Sequence, residues 1–173
     1  RIREYPIASD FFFNCDFFMD IESMTVLDMA PYSYNRRIDE GLTSRFFPDF
    51  FEIQEERVRS VLDQYRYWDM CTPEIEREMA GIYIRYVYAG LLRQFDPRSG
   101  SNRASRRGWL KRLYDSELFL SLIPAARPEN RTVAALGSLL KGRHTGLILA
   151  AGRIMHITRR FLPLLFSRVK QNR

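Results

Sequence analysis

Hydrophobic positions along this chain recur mostly at helical spacing, with one interruption near the N-terminus. In residues 9 to 20, SDFFFNCDFFMD, Phe13, Phe17 and Phe18 share one side and Asp16 and Asp20 take the other, behind Ser9 or Asp10 as cap, which predicts a short helix. From Met24 to Met29 the periodicity weakens, β-favouring Thr25 and Val26 appear and Pro31 follows. That stretch predicts one short strand, and Tyr32 to Asn35 a second. Arg36 to Thr43 is polar, contains Gly41 and reads as a loop.

Beyond Pro48 the helical pattern becomes continuous. Phe51, Val58, Val61, Leu62, Tyr65 and Trp68 form one face, while Glu52, Glu55, Glu56, Arg59 and Asp63 form the other. Thr72-Pro73-Glu74 predicts a new helix start, with threonine as cap, proline at the first helical position and acidic Glu74 and Glu76 at the positive end of the helix dipole. Its inward positions are Ile75, Met79, Ile82, Tyr86 and Leu91, to about Phe95; the Tyr83, Tyr86, Tyr88 group reads as core and half-core packing. Asp96 to Gly108, rich in Ser, Gly, Asn and Arg, reads as a mobile loop. Three helices are predicted after it: about 108 to 122 before Pro124, about 131 to 142 ending at Gly142, and about 145 to 162 broken by Pro163. The predicted fold class is mainly α with a short N-terminal β element.

Composition narrows the classes. The 173 residues are 46% hydrophobic, with 13 Phe, 9 Tyr and 2 Trp, enough apolar surface to offset ordering entropy and exclude a disordered chain. Cys15 and Cys71 have no CxxC spacing and no histidine cluster, so neither a disulfide scaffold nor a zinc site is encoded, and a reducing compartment is expected. No apolar run approaches the roughly 20 residues of a spanning helix, and the first residues carry no signal-peptide pattern. The reading is therefore of a chain that neither crosses a membrane nor is exported. It starts at Arg1 without an initiator methionine, which leaves room for sequence upstream.

Charge is distributed unevenly. Residues 1–97 hold 11 Lys and Arg against 18 Asp and Glu, whereas residues 98–173 hold 16 against 3. A C-terminal region of that sign points to a polyanionic partner, an acidic lipid surface or nucleic acid. In residues 141–173 Leu147, Ile148, Ile154, Met155, Phe161, Leu162, Leu164, Leu165 and Phe166 interleave with Lys141, Arg143, Arg153, Arg159, Arg160, Arg168 and Lys170, a pattern suited to a lipid headgroup region. The bland alternative is that these apolar residues cover a helical core. Nucleic acid is disfavoured, since the Arg98 to Arg112 stretch has only Trp109 as an aromatic and no recognition motif. His144 and His156 read as helix-end or surface residues, and no paired nucleophile and base is visible.

The residues with chemistry to offer lie near the N-terminus. Asp10 opens a helix, and PYSYNRRIDEGLT, residues 31 to 43, supplies Arg36, Arg37, Gly41 and Thr43, donors and a glycine able to close over phosphates. A solvated loop and a capping aspartate account for the same residues. The segment resembles the C-terminal half of a family 2 glycosyltransferase, the inverting, nucleotide-sugar-dependent type with an α/β GT-A fold. Such enzymes carry an acidic residue at a helix start in an E-D-x-x-F context, then a strand, then a pattern close to P-L-Y-x-Y-R-x-R-x-x-S-x-T. Ser9-Asp10 followed by Phe13 resembles the first element, and Pro31, Arg36 and Thr43 match the second in register. Tyr32 stands for the usual leucine, Tyr34 falls between the two tyrosine positions, Ile38 replaces the second arginine and Gly41 the serine.

The resemblance implies that Asp10 is the catalytic base and that Arg36, Arg37 and Thr43 bind the nucleotide diphosphate in a lid. It implies residues 1–45 as the end of the GT-A domain, with base helix, strand and lid loop, and 46–173 as a helical region with a mobile loop near 96–108 and a basic tail at 141–173. Partners would be a nucleotide-sugar donor, a glycan or lipid-linked acceptor in polysaccharide biosynthesis, and an anionic membrane surface, at the cytoplasmic, inner face of the membrane. No Asp-x-Asp occurs in the chain, so no cofactor is expected within it, and the divalent magnesium or manganese of the full-length enzyme would be held elsewhere. Asp16 and Asp20 read as solvated carboxylates, lacking a third convergent ligand. The alternative is a non-catalytic helical adaptor on an anionic membrane or a partner, and homo-oligomerisation stays open.

Overall fold

The computed structural model describes residues 7–29, 45–128 and 130–161, with side chains described to residue 158. The protein is mainly helical. Helices α1 (Ser9–Asp20), α2 (Phe50–Tyr67), α3 (Pro73–Arg93), α4 (Arg103–Asp115), α5 (Glu117–Ala125), α6 (Arg131–Lys141) and α7 (Thr145–Phe161) follow in order, with a 3-10 turn at Pro97–Ser99. Among the described residues there is no strand. The β element expected at Met24 to Met29 is an exposed stretch without regular structure: β-branched Thr25 and Val26 supply propensity, but a strand also needs a partner for its backbone groups, and none is paired with this one. The second expected strand, Tyr32 to Asn35, lies outside the described residues.

The chain divides into two compact units, one up to Met70 and one from Cys71. In the first, α1 packs on α2. The apolar stripe of α2 runs through Phe51, Ile53, Val58 and Leu62, all buried, and includes Gln54 and Gln64. Trp68, expected on that stripe, is the C-cap residue of α2 and remains exposed.

In the second unit α3 is central and packs against α5, α6 and α7. Thr72 caps it as the sequence suggests, its side chain accepting from the Ile75 amide at 3.4 Å, with Pro73 at the first helical position. Ala80, Tyr83, Ile84 and Val87 are fully enclosed, whereas Ile82 and Tyr86 are only half-buried, so the inward face is rotated from the predicted one. The basic stretch after α3 is shorter and more ordered than a loop of residues 96–108: α4 begins at Arg103, capped by Asn102, whose Oδ1 accepts from the Ser105 amide at 2.9 Å. Arg106 ties the connection down, donating from Nε to the Gln94 carbonyl at 2.8 Å and from Nη2 to the Ser101 carbonyl at 2.7 Å, with its guanidinium 4.3 Å above the Phe95 ring.

The helix predicted over residues 108–122 is two helices, broken at extended Ser116, whose hydroxyl caps α5 by accepting from the Phe119 amide. Pro124 lies inside the last turn of α5. Asn130 caps α6, accepting from the Thr132 and Val133 amides at 3.0 and 3.2 Å. Gly142 ends α6 as predicted, but with an ordinary negative φ; Arg143 takes the left-handed conformation, φ 50°. Its guanidinium lies 5.5 Å over the Tyr114 ring and donates to the Tyr114 carbonyl at 3.4 Å.

Candidate functional site

Helix α1 begins without a side-chain cap. Its N-cap residue is Ala8, left-handed at φ 62° and ψ 22°, so neither Ser9 nor Asp10 caps the helix. A left-handed alanine costs roughly 1–2 kcal/mol, and the burial of Phe12 in the first turn offsets it. The Ala8 carbonyl accepts the first helical hydrogen bond from Phe12 at 3.1 Å, and Phe12 is the anchor of the unit, 1% exposed. Phe11 meets the Phe12 ring edge to face at 5.6 Å and lies beneath the Arg57 guanidinium, 4.4 Å from its centroid. Cys15, among the phenylalanines of α1 in sequence, is buried. Its backbone carbonyl accepts from the buried Gln64 amide of α2 at 3.3 Å.

These contacts fix the rotation of α1 and turn Asp10 outward. Its carboxylate is exposed in the first helical turn, with Oδ1 accepting from the Phe11 amide at 2.8 Å. Phe13 and Phe17 come three and seven residues later, positions that share this outer face. They are stacked at 6.0 Å and 13° and are about half exposed. Met24, Val26, Leu27 and Met29 are exposed as well. The first unit thus carries a carboxylate together with exposed apolar side chains, Phe13 and Phe17 among them, on the side that the sequence pattern gave to the phenylalanines.

Arg36, Arg37 and Thr43 lie outside the described residues, so of the four predicted site residues the structure places Asp10. Asp16 and Asp20 are exposed, and among the described residues no three His, Cys, Asp or Glu side chains converge as a metal would require. In the second unit, His144 is exposed and His156 is half-buried, its ring tilted against Phe95 at 6.5 Å. A shallow depression of about 240 Å³ between α5 and α6 includes Arg127 and Lys141, but the Lys141 ammonium is already bound to the Ala126 carbonyl at 2.9 Å.

The residues that sequence reasoning missed are Gln54 and Gln64. Gln54 accepts from Arg57 Nη1 at 3.0 Å, and Arg57 in turn covers Phe11. Gln54 falls three residues after Phe51 and four before Val58, on the apolar stripe itself, and a polar residue at a stripe position is the signal that was present. Among the described residues no helix is long and apolar enough to cross a membrane. Comparisons with family models, with curated proteins and with solved structures return no match for this chain.

Proposed function

We propose that the chain is the acceptor-side, C-terminal part of an inverting glycosyltransferase that uses a nucleotide-sugar donor. The observation that carries this reading is the exposed Asp10 carboxylate in the first turn of a helix held by Phe12 and Gln64, within the Ser9-Asp10 and Phe13 pattern of family 2 enzymes. The exposed stack of Phe13 and Phe17, together with exposed Met24, Val26 and Leu27 on the same unit, supports it, since several large apolar side chains left open to solvent suit a surface that is covered, here by the nucleotide-binding half.

The chemistry assigned to Asp10 is general-base catalysis. Its carboxylate takes the proton of an acceptor hydroxyl as that oxygen attacks the anomeric carbon; the new C–O bond forms as the bond to the nucleoside diphosphate oxygen breaks, and the diphosphate leaves with the electron pair. Attack opposite the leaving group inverts the anomeric centre. Arg36, Arg37 and Thr43 are assigned to the diphosphate, where cationic and hydroxyl donors stabilise the departing charge. A divalent metal does not fit the described residues, and none of the steps assigned here passes through one.

Asp10→Asn in the complete native enzyme tests the assignment. Carboxamide for carboxylate keeps the size and removes the base, so transfer should fall by at least about a hundredfold while nucleotide-sugar binding, read by calorimetry, holds. Full transfer by Asp10→Asn would remove Asp10 from the base role.

A further inference from the structure

Helix α7 shows a second, outward apolar face. Ile148 and Gly152 are buried against the rest of the unit, while the opposite arc consists of Gly146, Leu147, Ala150, Arg153, Ile154 and Ile157, all exposed. The three large apolar side chains on it are 58%, 63% and 45% exposed at Leu147, Ile154 and Ile157. The usual rule places polar residues on the solvent side of a surface helix; here, among the described side chains, Arg153 is the one charged residue of the arc. From Leu147 to Ile157 the stripe extends about 15 Å along one helix.

We propose that this face of α7 docks on an anionic lipid surface, with Leu147, Ile154 and Ile157 entering the headgroup and acyl boundary and Arg153 reaching lipid phosphates. Charge selects this occupant. Residues 130–173 contain nine Lys and Arg and no Asp or Glu. A second copy of the chain seated on the stripe would bring two such regions together at close range, whereas an anionic bilayer offers apolar depth and compensating charge at once. Lipid docking is independent of the transferase reading, because it uses neither Asp10 nor any donor or acceptor.

The test is co-sedimentation of the full chain with vesicles of phosphatidylcholine alone and of phosphatidylcholine with 30 mole per cent phosphatidylglycerol, at low and high salt, with oligomeric state followed by light scattering. The wild-type chain should bind the anionic vesicles, lose binding as salt rises and bind the neutral ones weakly. Ile154→Asp, at an exposed position, should weaken anionic binding at least about tenfold. Arg153→Gln should weaken it about fivefold, the equivalent of about 1 kcal/mol for one basic residue. Unchanged far-UV circular dichroism and melting temperature in both variants separate lost docking from lost fold; should Ile154→Asp unfold, Leu147→Gln and Ile157→Gln take its place. Equal binding to both vesicle types overturns the proposal, as does wild-type binding by every apolar-face variant. Dimers that dissociate with Ile154→Asp while vesicles are ignored would also overturn it and assign the face to a second copy.

Discussion

Alanine at Gly81 and alanine at Gly152 should move stability in opposite directions. Both positions lie inside long helices, α3 and α7, where alanine is preferred over glycine by about 1 kcal/mol. At position 81 a Cβ would meet nothing within 4 Å, so the helical preference stands. At position 152 it would lie 2.7 Å from Cε2 of Phe95 and 3.0 and 3.1 Å from Cγ and Cδ2 of Leu91. Leu91 is fully enclosed, and the Phe95 ring is held beneath Arg106 and beside His156, so neither can withdraw without breaking other contacts. Overpacking of this kind costs roughly 1–3 kcal/mol, which leaves Gly152→Ala with a net loss of up to about 2 kcal/mol. At roughly 2–4 °C per kcal/mol for a chain of this length, thermal melts followed by far-UV circular dichroism resolve both changes. Gly81→Ala should melt higher than the wild-type chain and Gly152→Ala lower. A Gly152→Ala protein as stable as Gly81→Ala would refute the close approach of α3 and α7.

Removing the α6 cap should also be measurable: Asn130→Ala orphans the Thr132 and Val133 amides and should cost about 1 kcal/mol by urea titration, while Asn130→Asp should cost little. Asp96 gives a pH dependence. Its carboxylate accepts from the side chain of Arg98 at 2.7 and 3.0 Å and from its backbone amide at 2.9 Å, and these bonds hold its pKa down to about 2 from the ordinary 3.8. Because the folded value is the lower one, the stabilisation is complete above about pH 4 and lost as pH falls through about 2. With the Arg98 side chain 58% exposed, screening limits it to about 1 kcal/mol. Asp96→Asn should therefore be less stable than the wild-type chain at pH 6, with the gap mostly closed by about pH 2, and an equal gap at both would sink the assignment.

Where structure is decided locally, the residues announce it. Ser9 to Asp20 is a helix at its predicted bounds, and Thr72-Pro73 and Gly142 mark the start of α3 and the end of α6 because caps act within a few residues. The break at Ser116 was hidden because Leu110, Leu113, Tyr114 and Leu118 keep helical spacing straight across it; packing on α3 and α7 maintains the period while the backbone turns. Composition misled at residues 102–108, where Ser, Asn and Arg resemble a loop but Asn102 is a cap and Arg106 a tether. At Met24 to Met29 the strand propensity was real, yet pairing is a relation between distant segments that no local pattern contains. Although Asp10 does not cap α1, its first-turn position at the candidate site was legible from the helical pattern of residues 9 to 20. The aromatic stack beyond it was not, because which face of α1 is buried depends on Arg57 and Gln64, far along the chain.

The pairing of α1 and α2 rests on direct helix contact and on the hydrogen bond from Gln64 to the Cys15 carbonyl, not on the length of chain that joins them. Closing a connection grows in cost only with the logarithm of its length, about 0.6 kcal/mol for each doubling. Lengthening or shortening the exposed, irregular stretch from Met24 to Met29 therefore leaves the anchor of Asp10 almost untouched. A scaffold organised in this way can acquire new partners by editing a connection, while the carboxylate it presents stays where the two helices hold it.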